Sequence, residues 1–157
     1  MTKPILPDDQ VKLQEGFEYV FHVIDLVKLQ DHNEYYLLSD PNGMKHFLEA
    51  APYIGYLIPN PGKIICTVSK INCTGRIFLE PSHPFLKTGH IYRFRILDFQ
   101  PNNDKTELNI EIVKGSIIKS TSRSSPELEL MENIFADGKI IGFKKGVPEI
   151  EIIQVFY

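Results

Sequence analysis

The chain offers few of the parts from which a chemical site is assembled. Two cysteines in 157 residues cannot make a disulfide framework, so a reducing compartment, the cytoplasm, is the expected location. No apolar run approaches the roughly 20 residues that a membrane-crossing helix needs, and no membrane association is expected. The opening MTKPILPDDQ lacks the charged-then-apolar order of a secretory leader. Asn72–Thr74 fits a glycosylation sequon, which matters only in a secreted protein. There is no phosphate-binding loop, no Gly-x-Ser-x-Gly, no His-Glu-x-x-His and no dinucleotide fingerprint. His22, His32, His46, His83 and His90 form no spaced set. Cys66, Cys73, His83 and His90 match no common zinc pattern, in which cysteines stand two to four positions apart. The sequence therefore predicts a protein that is not an enzyme, with no metal and no cofactor.

Charge is unevenly placed. Residues 1–59 carry 4 basic and 9 acidic groups, residues 60–95 carry 6 and 1, and residues 96–157 carry 7 and 10. A cationic middle between acidic flanks fits an electrostatic footprint for a polyanion. Cross-strand pairing of charges would account for the same pattern.

What the sequence has in quantity is alternation. Residues before Gly16 carry Pro and Asp and read as a tail or edge cover. Phe17–Leu29 is aromatic and β-branched with apolar residues on both faces, as in a long strand shared by a barrel. Tyr35–Ser39 and Met44–Glu49 flank Asp40-Pro41-Asn42-Gly43, a strong turn because Pro presets φ and Asn and Gly accept the left-handed conformation. Ala51–Gly62 is too short and too rich in breakers for an ordinary helix and reads as a one-turn connector. Lys63–Ile71 and Arg76–Glu80 form a closing hairpin. Three strands, a connector and two strands are the order of a five-stranded Greek-key OB barrel.

The second half repeats that order. His90–Phe99 and Thr106–Val113 make a hairpin, and Gly115–Ser120 supplies a third short strand. Ser125, Pro126 and Glu127 look like an N-cap and first turn, with Leu128, Met131 and Phe135 on one helical face. Lys139–Tyr157 is a final hairpin. The fold predicted is mainly all-β: two tandem OB-like five-stranded Greek-key barrels, with one short helix in the second. The boundaries are an N-terminal tail over 1–15, a first barrel over 16–85 and a second over 86–157. One larger antiparallel barrel or sandwich is the alternative.

The stretch KINCTGRIFLEPSHP, Lys70–Pro84, decides which side chains face out. A four-residue loop Asn72–Gly75 sets Ile71 opposite Arg76, Lys70 opposite Ile77 and Val68 opposite Leu79. Alternation then buries Ile64, Cys66, Val68, Ile77 and Leu79, and turns Ile71, Ser69, Arg76 and Phe78 outward. An outward aromatic beside cations can stack a base and hold its phosphate. In the second half, Tyr92, Phe94 and Ile96 face inward with Leu108, Ile110 and Ile112, which sets Arg93 opposite Glu111 and Arg95 opposite Asn109.

GKIICTVSKINCTGRIFLEP, Gly62–Pro81, resembles the last two strands of ribosomal S-one type RNA-binding domains. GMKHFLEA, Gly43–Ala50, is similar to the middle strand of that family before its short helical turn. The resemblance spans about residues 16–81. It implies an RNA-facing surface on the second and third strands, here Tyr35 or Tyr36 with Lys45, His46 and Phe47, joined by Arg76 from the last strand. With Lys70 and Phe78 these are the candidate nucleic-acid-binding residues, for RNA or single-stranded DNA on the outer sheet of the first barrel. The competing expectation is a protein-interaction or accessory barrel. The acidic flanks motivate it, and edge strands would take a protein partner by strand addition.

Overall fold

The computed structural model of the chain describes residues 10–123 and 129–157. Ten strands run through the described residues, together with a short 3-10 helix over Ala51–Tyr56. The chain separates into two compact units between Pro84 and Phe85. Among the described residues no helix is long and apolar enough to cross a membrane.

The first unit holds β1 (Glu18–Lys28), β2 (Glu34–Ser39), β3 (Lys45–Glu49), β4 (Gly62–Ile71) and β5 (Ile77–Pro81). Their lateral order is β3-β2-β1-β4-β5, and β3 and β5 approach each other to close a barrel. β1 serves two neighbours. Its first half pairs with β4, Glu18 opposite Thr67 through Val23 opposite Gly62. Its second half pairs with β2 as far as Lys28 opposite Glu34. A bulge at Ile24 redirects the strand between them. Phe21, Val23, Leu38, Cys66, Val68 and Leu79 fill the interior.

The hairpin that closes this barrel differs from the expected register in one respect. Ile71 pairs with Ile77 and Lys70 with Phe78, while Val68 still pairs with Leu79. The loop is one residue longer than expected, and a bulge at Ser69 absorbs the difference. Asn72 builds that loop: its Oδ1 accepts from the backbone N of Thr74 and Arg76 and from the Thr74 hydroxyl, at 2.7–3.1 Å. The bulge turns Ile71 toward the core instead of away from it. Phe78 nevertheless points outward, because Leu79 beside it is buried.

The second unit holds β6 (Ile91–Asn102), β7 (Lys105–Glu111), β8 (Ile117–Arg123), β9 (Ile134–Lys144) and β10 (Val147–Phe156). It is a closed barrel in the order β10-β8-β7-β6-β9. The seam is a parallel pairing, Glu149 opposite Thr121 and Ile150 opposite Ser122. Phe94, Ile96, Leu108 and Ile110 face inward as the alternation requires. The β6–β7 strands run on to Asn102 opposite Lys105, and the outward partners move with them: Arg95, not Arg93, stands opposite Glu111, two positions on, and past a bulge at Leu97 Asp98, not Arg95, stands opposite Asn109, three positions on. Arg93 instead pairs with Asp137 on β9. The helix expected from Ser125 to Phe135 is not formed over its described part. Residues 129–133 are non-helical and Phe135 lies on β9. The expected cap and first turn, Ser125 to Leu128, lie outside the described residues.

The two units repeat each other beyond strand order. Leu13, Gly16, Tyr19, Phe21 and Val23 correspond to Leu86, Gly89, Tyr92, Phe94 and Ile96, each pair 73 positions apart. The contacts repeat too. The Tyr19 hydroxyl accepts from Gln14 N at 3.0 Å and donates to Lys12 O at 3.2 Å. The Tyr92 hydroxyl accepts from Lys87 N at 2.9 Å and donates to Phe85 O at 3.4 Å. Gly16 and Gly89 both take a φ near +85°, open to glycine at no steric cost. Their N–H groups donate to Val68 O and Ile140 O, on the fourth strand of each copy. Even the bulges agree, Ile24 with Leu97 and Ser69 with Ile141. Residues 10–16 are therefore no loose tail: Leu13 packs on the core, and Val11 is tied through both backbone polar groups to the Asn42 amide.

Candidate nucleic-acid interface

β2 and β3 present their outer surface through alternation. Leu38 and Leu48 are buried, so their sequence neighbours at odd spacing face out. Tyr35, Phe47, Lys45 and Glu49 share that outer side. The Tyr35 and Phe47 rings meet edge to face, centroids 6.1 Å apart. The Tyr35 hydroxyl donates to Asp31 Oδ2 at 2.5 Å, and Asp31 also accepts from Asn33 N at 3.0 Å. That bond holds the Asp31 carboxyl below its ordinary value and pushes the Tyr35 hydroxyl above its own.

The same alternation removes two of the expected site residues. Tyr36 turns inward and packs against the core. His46 sits two positions before buried Leu48 and faces inward with it. Its Nε2 meets Asp40 Oδ2 at 2.8 Å, and its ring lies edge-on to buried Phe21. Asp40 Oδ1 also accepts from Asn42 N and Met44 N at 2.8 and 3.0 Å. This pair braces the β2–β3 turn and is not part of the outer face.

β4 and β5 supply a second group. Lys70 stands opposite Phe78, and the Arg76 guanidinium lies 5.0 Å from the Phe78 ring centroid. Phe78 is 39% exposed and Phe47 is 49% exposed, so both rings offer a face to solvent. β3 and β5 are neighbours at the seam. In the second barrel Glu149 pairs with Thr121, and Thr121 with Glu107. The residues that correspond by register in the first barrel are Phe78, Glu49 and Tyr35; there Glu49 pairs with Tyr35 and Phe78 with Lys70.

The repeat supplies an internal control. Where the first barrel has Tyr35, Phe47 and Phe78, the second has Glu107, Lys119 and Glu149. The fold does not need aromatic rings at these positions. Among the described residues no carboxylate forms an ion pair with Lys45, Lys70 or Arg76. In the second barrel Arg93 is held by Asp137 at 2.9 Å, Arg95 by Glu111 at 3.1 Å and Lys105 by Glu149 at 3.4 Å. Arg93 also lies over Phe156, 4.3 Å from its centroid.

Cys66 lies buried within β4 and Cys73 is exposed at the loop tip. Among the described residues no three His, Cys, Asp or Glu side chains converge as metal ligands. His83 stacks edge-on against Tyr56, and burial lowers its pKa.

Topology and register thus define a protein of two five-stranded OB-like barrels. No protein-family model matches the chain, and no curated protein sequence matches it. Among solved structures it is similar to a multidomain protein with nucleic acid binding domains from Streptococcus pneumoniae TIGR4. Identity is 10% and the TM-score 0.33, over 92% of this chain and 54% of that one, so the chain spans about half the length of that protein. It is also similar to the p204 HINb domain, at 7% identity and a TM-score of 0.35, over 93% of this chain and 100% of that one.

Proposed function

We propose that the first barrel is a non-catalytic binding module for single-stranded nucleic acid, RNA or single-stranded DNA, on the outer face of β2, β3 and β5. The observation that carries this reading is the solvent-facing Phe78 beneath Arg76, on a scaffold whose second copy has Glu149 in the same place. Every base has a π face, so rings such as Phe78 and Phe47 stack bases without regard to sequence. Lys45, Lys70 and Arg76, which no carboxylate holds among the described residues, remain available for phosphates. A duplex hides its base faces, which favours single strands.

Fluorescence anisotropy with short labelled oligonucleotides of mixed sequence tests the proposal. Three neutralised phosphates give a slope of about −2 in log affinity against log salt, from roughly −0.7 per contact on a single strand. Absence of binding at tens of micromolar, or binding indifferent to salt, overturns it. Docking of a protein is the second reading. It draws on an apolar groove of about 470 Å³ in the first unit, lined by Val20, Ile58, Pro59, Ile65 and Pro81. Co-purification with a protein, with no affinity for oligonucleotides, would favour that reading.

A further inference from the structure

We infer that Glu49 is a base-selecting residue and that the base it selects is guanine; this rests on the nucleic-acid reading above. Glu49 stands beside the aromatic pair of β2 and β3. It is paired with Tyr35 across β2–β3 and lies two positions after Phe47 on the same strand, on the same outer face. It is half-buried, beside the Tyr35 and Phe47 rings on which bases would stack. Among the described residues no cation forms an ion pair with its carboxylate. The corresponding residue of the second barrel is Thr121, so the scaffold does not require an acid there.

A carboxylate on a nucleic-acid surface repels phosphate, and it is favourable only where it receives donors. It accepts hydrogen bonds and gives none. The four bases differ in what their pairing edges present to two adjacent oxygens. Adenine and cytosine offer an amino donor beside a ring nitrogen that is itself an acceptor. Uracil and thymine offer one N–H between two carbonyls. Guanine alone offers two neighbouring donors, N1–H and the N2 amino group, which match the two oxygens of Glu49 in a bidentate pair. Splayed single strands expose that edge.

The test uses the full chain and three labelled octamers: all uridine, uridine with one central guanosine, and uridine with one central inosine, which lacks the N2 amino group. The wild-type protein is expected to prefer the guanosine octamer over all-uridine by about 5- to 150-fold, the range for one bidentate contact. Inosine is expected to lose most of that preference. Glu49→Gln, a change at an outward position, is expected to abolish the preference, so that the guanosine and all-uridine octamers bind alike. Equal wild-type affinity for all three, or a guanosine preference that survives in Glu49→Gln, overturns the assignment of Glu49. Phe78→Ala separates the two levels. If the wild-type protein binds and Phe78→Ala weakens all three octamers without any guanosine preference in either, the platform stands and Glu49 falls. If the wild-type protein binds none of them, both fall.

Discussion

Phe78→Ala separates a ring that grips a ligand from one that merely covers a barrel. In the free protein the ring is 39% exposed, and its specific contact is the Arg76 guanidinium at 5.0 Å. An exposed cation–π contact of this kind is worth about 0.5–1 kcal/mol. For a unit of this size that corresponds to a shift of only a few degrees in Tm, at about 4–8 °C per kcal/mol. The protein stays folded at room temperature. A base stacked on the ring is worth about 1–3 kcal/mol, which is about a 5- to 150-fold change in Kd. The expected result is therefore a large loss of affinity with a small loss of stability. It is measured by anisotropy on an oligonucleotide and by thermal unfolding of the same sample. Phe78→Trp, which keeps an aromatic face, should retain binding. Glu149→Ala, at the matching position of the second barrel, should cost no affinity. A Kd within twofold of wild type for Phe78→Ala, or an equal loss from Glu149→Ala, would refute the platform.

Three further outcomes follow from packing and charge. A Cβ on Gly138 would meet Ile150 Cγ2 at 2.5 Å and Phe94 Cε1 at 2.7 Å, so in Gly138→Ala overcrowding of about 1–3 kcal/mol should outweigh the about 0.5–1 kcal/mol that alanine gains in a strand. Adding Ile150→Leu, which moves the branch away, should recover part of the loss in urea melts, and no recovery would show that the clash lies elsewhere. Burial pushes the Cys66 thiol up to about 12 while Cys73 is exposed, so a disulfide reagent at pH 8 should titrate one thiol per native chain and two in urea; rapid reaction of both in the native state would contradict the buried strand. The hydrogen bond from Arg93 lowers the Asp137 pKa, so the carboxylate's contribution is present above its unfolded value of 3.8 and lost as pH falls through the lower folded one. Asp137→Asn should remove that part of the acid sensitivity, and an unchanged stability profile between pH 5 and pH 2 would count against the pair.

Alternation carried most of the fold. Each strand reveals its inward residues wherever two consecutive core positions, such as Phe94 and Ile96, are apolar and their neighbours charged. Bulges were invisible to it. One extra residue at Ser69 misplaced Ile71, and a two-residue turn between Asn102 and Lys105 together with the bulge at Leu97 misplaced the partners of Arg93 and Arg95. Composition around those positions gives no warning, because any residue can sit in such a kink. The candidate site was legible in part for a related reason. Phe78, Arg76 and Lys70 follow from the hairpin. The family resemblance offered Tyr36 and His46 equally with Tyr35 and Phe47, although parity with buried Leu38 and Leu48 decides between them. Glu49 carries no such signal, because an acid on a surface strand is usually just solvated. The 73-residue recurrence of Leu, Gly, Tyr and Phe was present in the letters. It would have exposed the contrast between the two outer faces.

The tyrosine clamps have a consequence for ancestry. Tyr19 and Tyr92 each fasten the opening residues of their own copy, and each entry glycine is anchored to a fourth strand of the same copy. Both clamps therefore lie within their own copy. A cassette of that kind can be copied, moved to another gene or given a new exterior without rewriting its interior, and lineages can diverge on the outside while the inward letters stay recognisable.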